Sequence, residues 1–236
     1  MGQRHHPARS VAHAALQKWW ERWPEWAIAD VFLAPSQRSI AVAWFSVLME
    51  WEDLLDQRRE RTVVAARLRW WKDELAQWSE QHTSHPLATL LAPIDAPWKQ
   101  LAHALCDLDA LHAVPPSFAL ARTAIARLLD AMVAIELRLF PADCPSDRDV
   151  LLLHWLAARC GGGEEGVPEG MSMDGWRLAL LHAWPETTQG GRARRLFSAL
   201  ARSRFASTVQ PGHSVSSVTG RIRVLWRCWR VAIQGK

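Results

Sequence analysis

Residues 40–55, IAVAWFSVLMEWEDLL, are apolar on almost every face of a helix. A helix patterned in this way is buried on all sides rather than laid on a surface. Elsewhere apolar residues recur at spacings of three and four, β-branched runs are short, and alanine, leucine and arginine dominate, so helix is expected nearly throughout. The periodicity predicts helices over 8–23, 36–59, 61–81, 97–113, 117–139, 147–160, 173–184, 191–206 and 220–233. Ser36, Ser117 and Ser146 stand where N-caps of three of them belong. The glycine-rich stretch CGGGEEGVPEG, residues 160–170, reads as a loop, and it lacks the spacing of a Rossmann or P-loop phosphate site.

Composition turns this helical pattern into one folded unit. The chain has 236 residues, 49% of them hydrophobic, with no low-complexity tract and no repeat, so a single all-α domain over 1–236 is expected. No stretch has the length and apolarity of a signal peptide or a membrane span, and the sequence reads as cytoplasmic. Cys106, Cys144, Cys160 and Cys228 are scattered without a CxxC pair, which argues for free thiols. The charge is uneven. Residues 151–236 carry 12 Lys and Arg against 5 Asp and Glu, whereas residues 1–150 carry 16 against 19. An acidic first part and a basic last part imply separate roles or mutual attraction. There are 15 tryptophans and no tyrosine.

The candidate chemistry begins where the apolar run ends. Glu50, Glu52, Asp53 and Asp56 follow it directly, and Glu52 and Asp56 lie four apart on one helix face. Like charges at that spacing repel, the more so when buried, so a cation must lie among them. Arginine is one choice, with Arg58, Arg59, Arg61, Arg67, Arg69 and Lys72 close in sequence. Mg²⁺ is the other, a hard ion that takes one or two carboxylates together with water and phosphate oxygens.

The order LAPSQRSIAVAWFSVLMEWEDLLDQ, then ARLRWWKDELAQW, then HPLATLL resembles the squalene/phytoene synthase family. Members of that family carry a proline-arginine helix start, a DxxxD on a buried helix, an RLxWWRxEL helix and an HPxxxxL turn. GRIRVLWRCWRVA at the carboxyl end looks like the LRxLWxxWR ending of bacterial members. The resemblance implies an isoprenoid-synthase-like helical bundle with a central apolar cavity. It also implies Mg²⁺-assisted ionisation of an allylic diphosphate and head-to-head joining of two prenyl chains. On it, Glu52, Asp53 and Asp56 become metal ligands, and Arg38, Trp44, Glu186, Arg194 and Arg195 become substrate-binding residues.

The second acidic motif of the family departs from its pattern here. RLALLHAWPETTQGGRARRLF puts His182 at an arginine and Ala183 and Thr187 at the two aspartates, keeping only Glu186. Alanine cannot bind magnesium. DCPSD, Asp143 to Asp147, has the spelling of a replacement, but Pro145 takes its acids off a common helix face. Two expectations follow: a weakly active or inactive protein that binds an isoprenoid or a protein partner, or a working prenyl transferase with a one-sided Mg²⁺ site. In the last helix Ile222, Leu225, Trp226, Trp229 and Ile233 form a stripe expected to pack into the bundle. The alternative is peripheral contact with the inner membrane, with tryptophan at headgroup level and arginine on anionic lipid. Nucleic acid is not expected as a partner, because no helix-turn-helix, RNP or zinc pattern accompanies the basic end.

Overall fold

The computed structural model describes residues 16–55, 60–82, 84–112, 115, 117–160, 166–209 and 218–233. All regular structure among them is helical. The helices are α1 (residues 16–22), α2 (Trp26–Ala29), α3 (Pro35–Leu54), α4 (Arg61–Trp78), α5 (Ala88–Leu91), α6 (Trp98–Ala104), α7 (Phe118–Ala124), α8 (Ala126–Leu139), α9 (Arg148–Arg159), α10 (Met173–Ala183), α11 (Arg192–Val209) and α12 (Val218–Ile233). Short 3-10 segments cover Asp30–Phe32 and Leu105–Leu111.

α3 runs through the middle, as its all-round apolarity requires, and every residue from Ala41 to Met49 is buried. α5, α8 and α9 pack on it. α4, α6 and α8 form a group on one side, and α9, α10, α11 and α12 follow one another on the other. The core is unusually aromatic. Trp19, Trp23, Trp26, Phe45 and Phe197 form one ring cluster, with Phe45 stacked on Phe197 at 4.3 Å between centroids. Trp44, Trp51, Trp71, Trp78 and Trp98 form a second, meeting mostly edge to face, the arrangement that the ring quadrupole favours.

Several element boundaries differ from the sequence expectation for physical reasons. Pro35 occupies the first turn of α3 with Ala34 as the cap, so Ser36 lies inside the helix; a fixed φ and a missing N–H suit proline to that place. Asp147, not Ser146, caps α9, its Oδ1 accepting from Asp149 N at 2.9 Å. Ser117 does cap α7, accepting from Leu120 N. The expected helix 117–139 is two helices, because Ile125 leaves helical geometry at φ −114° and ψ 21° and is itself fully buried. The expected 97–113 helix tightens to 3-10 after Ala104. Its buried Leu105, Leu108 and Leu111 are three apart, the repeat that aligns side chains in a 3-10 helix. The expected helical parts 8–15 and 56–59, and loop residues 161–165, lie outside the described residues.

The C-terminal stripe is a correction. Ile222, Leu225, Trp226, Trp229 and Ile233 are exposed, and α12 packs against α11 and α2 through Val224 and Cys228 on its opposite side. No helix among the described residues is long and apolar enough to cross a membrane. The four cysteines are free, Cys106 and Cys144 exposed, Cys160 and Cys228 buried.

Candidate functional site

The acids after the apolar run meet cations of the chain itself. Glu52, 8% exposed, and Asp53 lie in the last turn of α3. Arg22 reaches both, with Nη1 2.6 Å from Asp53 Oδ1 and Nη2 3.4 Å from Glu52 Oε2. Lys18 Nζ stands 3.1 Å from Asp53 Oδ2. On the inner side His154 Nε2, from α9, lies against Glu52 Oε1, not aligned for a hydrogen bond. Two carboxylates therefore face two permanent cations and an imidazole. Burial pushes the Asp53 carboxyl up, but hydrogen bonds from Arg22 and Lys18 outweigh it and hold the group below the usual carboxylate range. As arranged, Glu52 and Asp53 turn to the chain's own cations. Asp56 lies outside the described residues. Among the described residues no group of three or more His, Cys, Asp or Glu side chains is placed to hold a metal ion.

A second polar centre is deeper and was not expected from the sequence. Glu136 on α8 is buried and accepts from Trp44 Nε1 at 2.9 Å, from Ser146 Oγ at 2.6 Å and from Arg194 Nε at 2.9 Å, with Arg194 Nη2 closing a bidentate pair. The Arg194 guanidinium also lies 5.0 Å from the Phe45 ring centroid. Trp44 and Arg194 are thus brought together, but by a carboxylate of the chain in the core. The signal for Glu136 was available: it is an acid four residues after Met132 on the stripe that α8 buries. Glu74 is its counterpart on α4. It accepts from Trp78 Nε1 at 2.8 Å, from Ser84 Oγ and from His85 N at 2.8 Å. Those bonds outweigh burial and hold its carboxyl below the usual range. The WWKDEL helix and the His85–Pro86 turn, two of the sequence landmarks, are joined by this one carboxylate.

The remaining expected residues lie elsewhere. Arg38 Nε donates to Leu33 O at 3.3 Å, tying the start of α3 to the turn before it. Glu186 and Arg195 line a surface groove along α11. One end of it, about 480 Å³, is bordered by Gln37, Asp143, Thr188, Gln189, Arg192 and Arg195. A small hollow of about 150 Å³ at Glu186, Thr188 and Arg195 leads on from there. The other end, about 420 Å³, lies between α11 and α12. Arg195 Nε is buried without a hydrogen-bond partner, and burial together with the charge of Arg192 lowers the guanidinium pKa.

No protein-family model, no curated protein and no solved structure matches this chain. Apart from Arg38 at the start of α3 and Asp56 outside the described residues, the expected site residues fall into three places: a cation-matched acid pair at the end of α3, a buried Glu136 centre holding Trp44 and Arg194, and an arginine-lined surface groove holding Glu186 and Arg195.

Proposed function

We propose that the chain is a divergent relative of the squalene/phytoene synthases, weakly active or inactive in prenyl transfer, that works by binding an isoprenoid or a protein partner. The observation that carries this is the pairing of Glu52 and Asp53 with Lys18, Arg22 and His154. In the family chemistry that place belongs to Mg²⁺, whose charge neutralises the departing diphosphate. Any Mg²⁺ there would have to displace two cations of the chain, and the segment that the resemblance sets at the second acidic motif keeps only Glu186, an exposed side chain 3.9 Å from Arg202 in a separate surface groove. Without metal on both sides, diphosphate departure loses several kcal/mol of charge stabilisation, on the order of magnitude seen for Lewis-acid metals.

The isoprenoid arm rests on the three landmarks in family order and on the α11 groove. There Arg192 and Arg195, with Thr188 and Gln189, offer donors to a diphosphate. Incubation with farnesyl or geranylgeranyl diphosphate and Mg²⁺ is expected to release pyrophosphate no faster than buffer. Calorimetric titration with farnesyl diphosphate should show binding that Arg195→Ala weakens about tenfold, the size of one charge-assisted contact, and that Asp53→Asn leaves alone. Mg²⁺-dependent release abolished by Glu52→Ala or Asp56→Ala overturns the proposal in favour of a working transferase. Absence of prenyl diphosphate binding removes the isoprenoid and leaves the protein partner.

A further inference from the structure

The outer side of α12 carries five of the twelve large hydrophobic side chains that are exposed among the described residues. Trp226 is 60% exposed and Ile222 59%, and Leu225, Trp229 and Ile233 accompany them. At 100° per residue, Ile222, Trp226, Trp229 and Ile233 fall within a narrow arc, with Leu225 at its edge. Val224, Cys228 and Val231 lie on the far side, where Val224 and Cys228 are buried. Arg223, Arg227 and Arg230 form a separate row along one flank, between the apolar arc and the packed side. Residues 218–233 contain no Asp or Glu.

That arginine row is one wall of the 420 Å³ groove. Arg202, Ser203 and Ala199 of α11 form the other wall, with Glu186 and Thr187 at the rim. Four guanidinium groups thus share the groove with one carboxylate. Arg202 meets Glu186 at 3.9 Å, whereas Arg223, Arg227 and Arg230 have no ion-pair partner among the described residues. Burial, with Arg202 and Arg230 as like-charged neighbours, lowers the Arg227 pKa against the smaller pull of Glu186. The groove is therefore short of negative charge, and it opens beside an apolar ridge capped by tryptophan.

From this juxtaposition we infer that α12 docks the protein on an anionic lipid bilayer, its apolar arc entering the acyl boundary and lipid phosphates seating in the arginine groove. The two halves of the surface suit the two layers of one partner. Indole rings prefer the headgroup level, aliphatic side chains the acyl boundary, and arginines at the flank meet phosphate without leaving it. A nucleic acid would use the arginines and leave the Ile222, Leu225 and Ile233 face in water. A soluble partner or a second copy would cover the ridge but would need acids opposite the arginine row, and α12 has none to offer its own copy. The inference does not depend on prenyl binding, which uses the far end of α11.

The full chain is mixed with vesicles of phosphatidylcholine alone or in equal parts with phosphatidylglycerol, some carrying brominated acyl chains. Binding to the mixed vesicles is expected to exceed binding to neutral ones by about tenfold or more and to fall with salt. Brominated lipid should quench part of the tryptophan fluorescence, and Trp226→Ala/Trp229→Ala should remove that quenching while circular dichroism stays unchanged. Arg223→Glu/Arg230→Glu, both at exposed positions, should cut mixed-vesicle binding by about tenfold or more, since each basic side chain near an anionic surface contributes about fivefold. Equal binding to both vesicle types, no binding, or binding untouched by either variant overturns the inference. A dimer in sedimentation that Trp226→Ala/Trp229→Ala dissociates overturns it too, since the ridge then belongs to a second copy.

Discussion

Glu136 gathers an indole N–H, a hydroxyl and a guanidinium around one carboxylate in the core. Arg194 is only 1% exposed, so neither charge could be left alone there without a large desolvation cost. Arg194→Met leaves the Glu136 carboxylate buried and unpaired. It is expected to destabilise the fold by about 3–5 kcal/mol in urea unfolding, as broken buried pairs do. Arg194→Met with Glu136→Gln should cost less than Arg194→Met alone, because no charge is then stranded. From the sequence, Arg194 and Arg195 look alike, two adjacent arginines opening a helix. A helix turns 100° between them, which is enough to send Arg194 inward to Glu136 and leave Arg195 in the groove. Local pattern carries no information on which arginine has a carboxylate waiting.

At the scale of elements, the burial of α3 was legible, though not its start, because an all-apolar helix has only one place to go. Of the three expected caps, Ser117 holds, Ser36 lies inside α3, and Asp147 does what Ser146 was expected to do. Ser146 is engaged elsewhere by tertiary contact, on Glu136. The α12 stripe had the period of a packing face and turned outward. Periodicity identifies that two faces differ but not which one finds a neighbour, and here the narrower Val224–Cys228 side sits on α11 and α2. The approach of α11 to the end of α8 depends on glycine. A Cβ on Gly191 would lie 2.4 Å from Phe140 Cβ and 2.7 Å from Phe140 O, and Gly190 holds φ at +108° beside Ser146. Gly191→Ala is expected to lower stability by about 1–3 kcal/mol, the usual cost of overpacking, read as a fall in thermal midpoint. It acts on the element that carries Arg194, so Ser146 and Glu136 feel it as well.

For the whole molecule, two arginine pairs tie the basic last part to the acidic first part: Arg194 to Glu136, and Arg204 to Glu25, with Arg204 4.1 Å from the Trp23 ring centroid. Within the first part, Lys18 and Arg22 hold α1 on the end of α3. The Asp53 contribution has a definite sign. Its folded pKa is lowered, so it stabilises fully above the unfolded value and is lost as pH falls through the folded one. Wild-type stability is therefore expected to drop below about pH 4, near the ordinary aspartate value. Asp53→Asn should lower stability at neutral pH and flatten that acid limb, measured as urea midpoints across pH. An equally steep limb in the variant would mean that other carboxylates dominate it. Cys160 and Cys228, pushed by burial to about 11 and about 12, stay protonated thiols throughout this range.

Local apolarity and spacing are enough for the helical class, the burial of α3 and the stretch where acids accumulate. Which of the chain's cations meets which acid depends on contacts between distant segments. Lys18, Arg22 and His154 are 35, 30 and 102 positions away from the carboxylates they face, and Glu136 lies 58 from Arg194. Ion pairing acts over a few ångströms in space and is indifferent to separation along the chain, so these partners follow from folding rather than from pattern.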